Sequence, residues 1–356
     1  MRRRRRTVAA GSGCLDRYAW YLTTCAGTVG IGPTQQGSTS ELVVIAPRAK
    51  EGKHTPMGAL DGRVTVITGA GRGIGREHAL FFASEGAKVV VNDLGGAVDG
   101  SGDDRSPAEQ VVDEIKEMGG EAIANADDVA DWEGGQRIVN SAIEAFGELH
   151  VLVNNAGILR DRVLVNMTEE EWDSVIHVHL RGHFIPTRWA ATYWREQSKA
   201  GHEVKASVIN TSSTSGLLGN PGQVNYGTAK AGIAAFTIIT AQELTRYGVR
   251  VNAIAPAART RMTESTPGLS DIVQPPVEPG AFDAWDPANI SPLVGYLATE
   301  SCPITGKTFF IQGGRVQYFQ PWTLTHEIEK SDRWTIAELA EQMPGLTGDR
   351  ARSASS

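Results

Sequence analysis

An α/β fold, a doubly wound parallel sheet of about seven strands with helices on both faces, follows from three features of the 356-residue sequence. From Arg63 onward, short β-branched apolar runs alternate with longer amphipathic stretches, which is how βαβ units read. Each run closes on a turn signal rich in Gly, Asn or Asp, as strand ends do. Glycine is abundant, 40 residues, but follows no three-residue repeat, which excludes a collagen-like chain.

The strand candidates, in order, are residues 64–68, 88–92, 122–126, 149–154, 207–211, 250–254 and 307–311. Helices are expected to start near Ile74, Pro107, Trp132, Glu169, Pro186, Gln223 and Pro287, where polar or proline starts precede apolar residues at helical spacing. One domain is therefore expected over 57–314. Residues 1–56 hold Arg2 to Arg6 and then Gly, Ser, Thr and Pro without either period. They read as a disordered extension or a misassigned start, with Met57 a natural alternative start; a targeting segment or a basic arm is the competing reading. Residues 315–356 read as a tail with one short helix over 335–342 and a fraying Arg/Ser end.

Charge is uneven. Residues 1–56 carry nine basic and three acidic side chains, so the net −7 of the whole leaves −13 on the rest. An acidic body of that kind does not favour nucleic acid. No run of about 20 apolar residues occurs, so no membrane span is expected. Cys14, Cys25 and Cys302 form neither a disulfide framework nor a CxxC clamp, which fits a reducing, cytoplasmic setting. His177, His179 and His183 lie close together but lack a nearby Cys or placed carboxylate, so no metal site is expected.

Strand 64–68 runs into Gly69-Ala70-Gly71-Arg72-Gly73-Ile74-Gly75 and then a helix. Those glycines fall where a backbone must turn sharply and approach a pyrophosphate at a helix N-terminus. The second strand ends at Asp93, where a carboxylate accepts from ribose hydroxyls and repels a 2′-phosphate; this favours NAD. Arg72 works the other way, since its guanidinium can pair with that phosphate. Asp127-Asp128-Val129 close the third strand, and Asn154-Asn155-Ala156-Gly157 close the fourth. Such polar strand ends meet at the ligand crevice of an open α/β sheet, although Asp and Asn also simply make turns.

Tyr226 and Lys230 stand four apart, on one face of a helix. An ammonium there stabilises a phenolate and brings a Tyr, ordinarily near pKa ~10, toward work as a general base. Ser213 ends the preceding strand segment thirteen residues before Tyr226, where its hydroxyl can hold a substrate oxygen.

The ordered set TGAGRGIG, an acidic end to strand two, NNAG, and Ser followed by YxxxK resembles the short-chain dehydrogenase/reductase family. The resemblance spans about 60–314. It implies a Rossmann-type fold, Tyr226 as general acid/base, Lys230 lowering its pKa and binding the nicotinamide ribose, and Ser213 polarising the substrate oxygen. It places Gly69, Arg72, Gly73, Ile74, Gly75, Asp93, Asp127, Asp128, Val129, Asn155, Gly157, Tyr226, Lys230, Pro256 and Thr260 around the cofactor. VVVNDLGG, VVDEIKEMGGEAIAN, VHLRGHF, GNPGQVNYGTAKAGI and NAIAPAARTRMT together look like the (3R)-hydroxyacyl-CoA dehydrogenase branch, the dehydrogenase part of peroxisomal multifunctional enzyme type 2. The implied chemistry is NAD-dependent oxidation of an acyl-CoA or steroid-type secondary alcohol in lipid degradation. NADPH-dependent 3-oxoacyl reduction, free hydroxysteroid oxidation and a non-catalytic dinucleotide-binding scaffold are the rivals.

Two positions depart from the family pattern. Where most members carry a catalytic Asn in V-N-L, this chain has Val178-His179-Leu180; His179 either replaces that Asn or packs in the helix. The usual P-G after strand six is Pro256-Ala257, and Thr260 falls one position early, which leaves its contact with the nicotinamide carboxamide open. Residues 261–286 read as a lid over the acyl group. Within it Arg261, with Arg259 just before, either meets CoA phosphates or is solvated. The small and apolar faces around Ala229 to Ile239 predict a homodimer or homotetramer.

Overall fold

The computed structural model describes residues 58–96, 101, 106–264, 271–278 and 280–347. The expectations for 1–56, Met57 and the Arg/Ser end after 347 lie outside these residues. The chain divides into two compact units, with the boundary between Gln317 and Tyr318, inside the last strand of the sheet.

In the first unit the elements follow the alternation of the sequence: β1 (Val64–Thr68), α1 (Gly73–Ser84), β2 (Lys88–Asn92), α2 (Ser106–Glu117), β3 (Glu121–Asn125), α3 (Trp132–Phe146), β4 (Val151–Asn154), α4 (Glu169–Ile176), α5 (Gly182–Lys199), β5 (Ala206–Thr211), α6 (Thr214–Leu217), α7 (Val224–Leu244), β6 (Val249–Pro256), α8 (Arg261–Glu264), α9 (Ser291–Ala298), β7 (Thr308–Gln312) and β8 (Arg315–Phe319). The sheet order is β3-β2-β1-β4-β5-β6-β7-β8, and the pairs from β3 through to β7 are parallel. Because β1 pairs with both β2 and β4, the chain reverses its winding at β1 and leaves a crevice beyond the carboxyl ends of these strands.

Successive residues of a strand point to opposite faces, and two separate cores result. Ile67 joins Phe82, Ile115 and Leu297 on one face; Val66 joins Ile138, Trp194 and Val208 on the other. Local signals hold the helices. Asp131 caps α3 through the Gly134 amide, and Gly147 ends that helix at φ 87°, a left-handed cap that glycine adopts without strain. Thr168 and Glu171 form a capping box on α4.

The structure corrects three expectations. The sheet has eight strands: β8 follows β7 across Gly313-Gly314, a two-residue connection that only an antiparallel return can use. The Gly-Gly dipeptide was the available signal. The helix expected to start at Pro186 begins at Gly182, because a π-helical turn, His177–Arg181, joins α4 to α5, the Gly182 amide donating back to the His177 and His179 carbonyls. The tail helix (α10) spans Ile336–Leu346, begun by a Thr335/Glu338 capping box. In that second unit Lys330 pairs with Glu338 at 2.8 Å.

Candidate active site

Gly69 and Gly73 have φ of 63° and 55°, so the turn after β1 uses backbone that other residues rarely adopt. A Cβ on Gly75 would lie 2.1 Å from the Gly69 carbonyl and 2.6 Å from Asn155 Nδ2. The start of α1 thus packs against the turn with no room for a side chain, and Ile74 lies between the two glycines. Arg72, the N-cap, makes no side-chain cap, and the first turn carries no acidic residue. Asn155 Nδ2 donates to the carbonyls of Thr68 and Gly69, both at 3.1 Å, so the end of β4 holds the turn after β1.

Asp93 is anchored at the end of β2: its two carboxylate oxygens accept from the amides of Gly71, at 2.8 Å, and Gly95, at 2.7 Å. Arg72 Nη1 donates to the Gly96 carbonyl at 3.4 Å. Asp127 is occupied by Arg137, at 2.6 Å, and Asn125, at 2.9 Å. Asp128 turns back onto the Ala130 amide at 2.8 Å, and Val129 is buried where a Cβ on Gly182 would touch it. Thr260 comes back to this cradle, its methyl 3.7 Å from the Cβ position of Gly73, while Pro256 pairs with Ile311 at the end of β6.

The second half of the crevice holds the reactive groups. Lys230 is fully buried; its Nζ donates to the Thr211 carbonyl at 2.6 Å and stands 5.4 Å from the Tyr226 ring centroid. Burial disfavours the ammonium and lowers its pKa from 10.5 to about 7. Ser213 caps α6, its Oγ accepting from the Ser215 amide at 3.2 Å, so the hydroxyl proton can point elsewhere. The serine turn reaches α7 because of two glycines: a Cβ on Gly216 would lie 2.4 Å from the Ala231 nitrogen, and one on Gly227 3.0 Å from the Ser215 carbonyl.

His179 lies in the π-helical turn, buried, its ring edge-on to Tyr226 at 5.2 Å and 87°. Its Nε2 sits 3.1 Å from the Ile158 nitrogen and 2.8 Å from the Ile158 oxygen, accepting in one tautomer and donating in the other. A Cβ on Gly157 would fall 2.2 Å from His179 Cε1, which is why NNAG ends in glycine here. Burial, then the charge of Lys230, hold both His179 and His183 well below the ordinary histidine pKa, so both rings are neutral.

A glycine cradle at a reversal of winding, a carboxylate at the end of β2, and Tyr226 with Lys230 on the helix against which the Ser213 turn packs all lie at the carboxyl ends of the strands of one sheet. The family model described as short chain dehydrogenase matches residues 63–268. The chain belongs to the short-chain dehydrogenase/reductase family. Members of this family are oxidoreductases that bind a nicotinamide dinucleotide. The chain is 45% identical over 269 residues to hydroxyacyl-CoA dehydrogenase ChsB1 of Mycobacterium tuberculosis, covering 74% of this chain and 81% of that one. It is 47% identical over 246 residues to peroxisomal multifunctional enzyme type 2 of Drosophila melanogaster, covering 69% of this chain and 38% of that longer enzyme. A crystal structure of a short chain dehydrogenase from Mycobacterium avium superposes with TM-score 0.72 at 49% identity, over 82% of this chain and 96% of that one.

The sequence does not single out Gly216, Gly227 or Asn225, and it marks His183 only as one of three neighbouring histidines. Neither glycine stands out locally, since Gly216 follows Thr214-Ser215 and Gly227 lies between Tyr226 and Thr228. Arg259, offered above as a CoA contact, is committed elsewhere: it pairs with Asp283 and donates to the Val273 carbonyl at 2.9 Å, fastening the described part of the segment after β6. Among the described residues no group of His, Cys, Asp and Glu is placed to hold a metal ion, and no helix is long and apolar enough to cross a membrane.

Proposed function

We propose that this oxidoreductase uses NAD to oxidise C3 of a (3R)-hydroxyacyl-CoA, of fatty or steroid side-chain type, to the 3-oxoacyl-CoA. The observation that carries the reading is the buried Lys230 amine beside the Tyr226 ring, on a sheet edge whose other half is a side-chain-free cradle. The cradle fits a dinucleotide: uncapped α1 amides and the tight Gly69–Gly75 turn suit a pyrophosphate, and the Asp93 carboxylate suits ribose hydroxyls and opposes a 2′-phosphate. Gly69, Arg72, Gly73, Ile74, Gly75, Asp93, Asp128, Val129, Asn155, Gly157, Pro256 and Thr260 would line that site, and Asp127 would act through its hold on Arg137 and Asn125.

When bound, nicotinamide supplies the hydride acceptor; the protein supplies orientation and the proton path. Ser213 donates a hydrogen bond to the substrate oxygen. Tyr226, as phenolate, takes the hydroxyl proton while the C3–H bond gives up its hydride, leaving a C=O. Lys230 as ammonium stabilises that phenolate, and the negative charge beside it draws the proton onto an amine whose pKa burial has brought to about 7. His179 supports the Tyr226 ring from its edge and stays neutral. The 45% identity to a protein named hydroxyacyl-CoA dehydrogenase supports the substrate class.

NADH formation is measured with paired (3R)- and (3S)-hydroxyacyl-CoA of short, long and steroid-side-chain type, alongside a free 17β-hydroxysteroid. Activity with the 3R thioesters is expected; activity confined to the free steroid or to the 3S thioester refutes the reading. The protein is further proposed to act as a homodimer or homotetramer in the cytoplasm. The support is α7, where Ile239 is 54% exposed beside the small residues of the same helix, and light scattering that shows a monomer at micromolar concentration contradicts the proposal.

A further inference from the structure

Asn225, the residue before the tyrosine, is fully buried in the first turn of α7. Its Nδ2 donates to two carbonyls, Arg160 and Glu171, both at 2.9 Å. Its Oδ1 accepts from the Tyr226 amide at 2.8 Å. The helix has no side-chain cap from its own N-cap, Gln223, so this amide is one of the helix-start donors that would otherwise lack an intrahelical partner.

The two carbonyls belong to the segments that frame Tyr226. Arg160 lies in the loop that follows Asn154-Asn155-Ala156-Gly157, and Glu171 lies in α4, which runs into the π-helical turn carrying His179. The same loop is stitched to the approach to α7 at two further points: the Arg162 amide donates to the Gly222 carbonyl at 2.8 Å, and Gln223 Nε2 donates to Asp161 at 2.7 Å. A single amide side chain therefore ties the backbone of Tyr226 to the loop on one side and to the helix leading to its edge-on histidine on the other.

We infer that Asn225 is a positioning residue for Tyr226, setting the height and rotation of the first turn of α7 and with them the point at which the phenol meets the substrate hydroxyl. The inference rests on the role proposed above for Tyr226. Proton transfer demands hydrogen-bond reach, and a misplacement of about 1 Å can cost on the order of 10²-fold in rate. Neither Arg160 nor Glu171 need change for the clamp to fail, because it uses only their carbonyls.

The test is Asn225→Asp, which keeps the shape and the acceptor for the Tyr226 amide but turns an oxygen toward the two carbonyls. The expected result is a fall in kcat of tenfold or more with the NAD dissociation constant within twofold of wild type. In a Tyr226→Phe background the same substitution lowers the residual kcat by less than twofold, because its effect passes through the phenol. An unchanged kcat, or a loss that multiplies fully in the double variant, overturns the inference. Asn225→Ser, read in the same way, covers the case in which the aspartate does not fold; loss of NAD binding in both variants also overturns it, since the residue would then serve the fold. If Tyr226→Phe alone leaves turnover intact, it is the role of Tyr226 that fails and not the clamp.

Discussion

The β1–β3 half of the sheet edge and the β4–β6 half are assembled by different means. In the first, backbone lies against backbone: a Cβ on Gly75 would meet the Gly69 carbonyl at 2.1 Å, and one on Gly69 would meet the Ala156 Cα at 2.7 Å. In the second, buried polar side chains reach backbone carbonyls of other segments: Lys230 that of Thr211, Asn225 those of Arg160 and Glu171, His179 that of Ile158. A surface that receives a ligand's backbone-like phosphates needs empty space and amide donors, whereas one that moves a proton needs charges and hydroxyls held at fixed places. The first requirement removes side chains and the second accumulates them, with the desolvation cost that buried polar groups carry.

The comparison is tested most strongly where only one half should respond. Tyr226→Phe removes the hydroxyl and keeps the ring against His179, so turnover should fall about 10²-fold or more while NAD binding is largely retained. Lys230→Ala should damage both, because the amine belongs to the boundary between the halves. Near wild-type turnover in Tyr226→Phe, measured by initial rates at saturating NAD, would place the base elsewhere.

Two alanine substitutions then separate the halves by parameter. In Gly75→Ala the new methyl collides with the Gly69 carbonyl and Asn155, and the NAD dissociation constant should rise by tenfold or more. In Gly216→Ala the methyl presses on the backbone of Lys230 and Ala231; kcat should fall more than tenfold with NAD affinity within about threefold. These expectations follow from the backbone collisions, which cannot be relieved by rotating a side chain. Fluorescence titration with NAD and steady-state rates report the two parameters, and the same parameter failing in both variants would break the distinction.

How far the sequence alone reaches follows the same division. β1 and β2 have the bounds expected from the apolar runs, because buried parallel strands are continuous stretches of Val and Ile that end at Thr68 and Asn92. The glycine turn and Asp93 were legible because missing side chains and a lone carboxylate leave marks in local text. Ser213, Tyr226 and Lys230 were legible through spacing. Asn225 was not, because its significance lies in contacts with residues 54 to 65 positions away. The π-helical turn was hidden for a related reason: Pro186 reads locally as a start, and only packing of α4 and α5 into one helical run overrides it.

Cofactor choice gives a smaller, sharper effect within the first half. Asp93 is held by the Gly71 and Gly95 amides and so cannot swing away from a 2′-phosphate. The kcat/KM for NAD should exceed that for NADP by at least tenfold, about 1.4 kcal/mol. Asp93→Ala should narrow that gap, with Arg72 left to attract the phosphate. Equal use of both cofactors by the wild type would sink the assignment.

Stability in acid compares the halves by their buried histidines. His78 in α1 pairs with Ser291 at 2.9 Å, and burial lowers its pKa to about 3; His179 and His183 in the second half are also held well below 6.5. Each is neutral in the fold and takes up a proton near pH 6.5 when unfolded. Their contribution to stability is therefore whole above pH 6.5 and is lost as pH falls below it, with a slope approaching about 1.4 kcal/mol per pH unit for each ring. His78→Gln removes one of four rings held below the ordinary histidine pKa, His150 being the fourth through burial and the charge of Arg63. Its unfolding free energy will start lower at pH 7.5, because a buried ring has been replaced, but should decline less steeply between pH 6.5 and 5 than that of the wild type. Urea unfolding at a series of pH values measures the slope directly. An unchanged slope in His78→Gln would mean that His78 is protonated in the folded state and that its interior accommodates the charge.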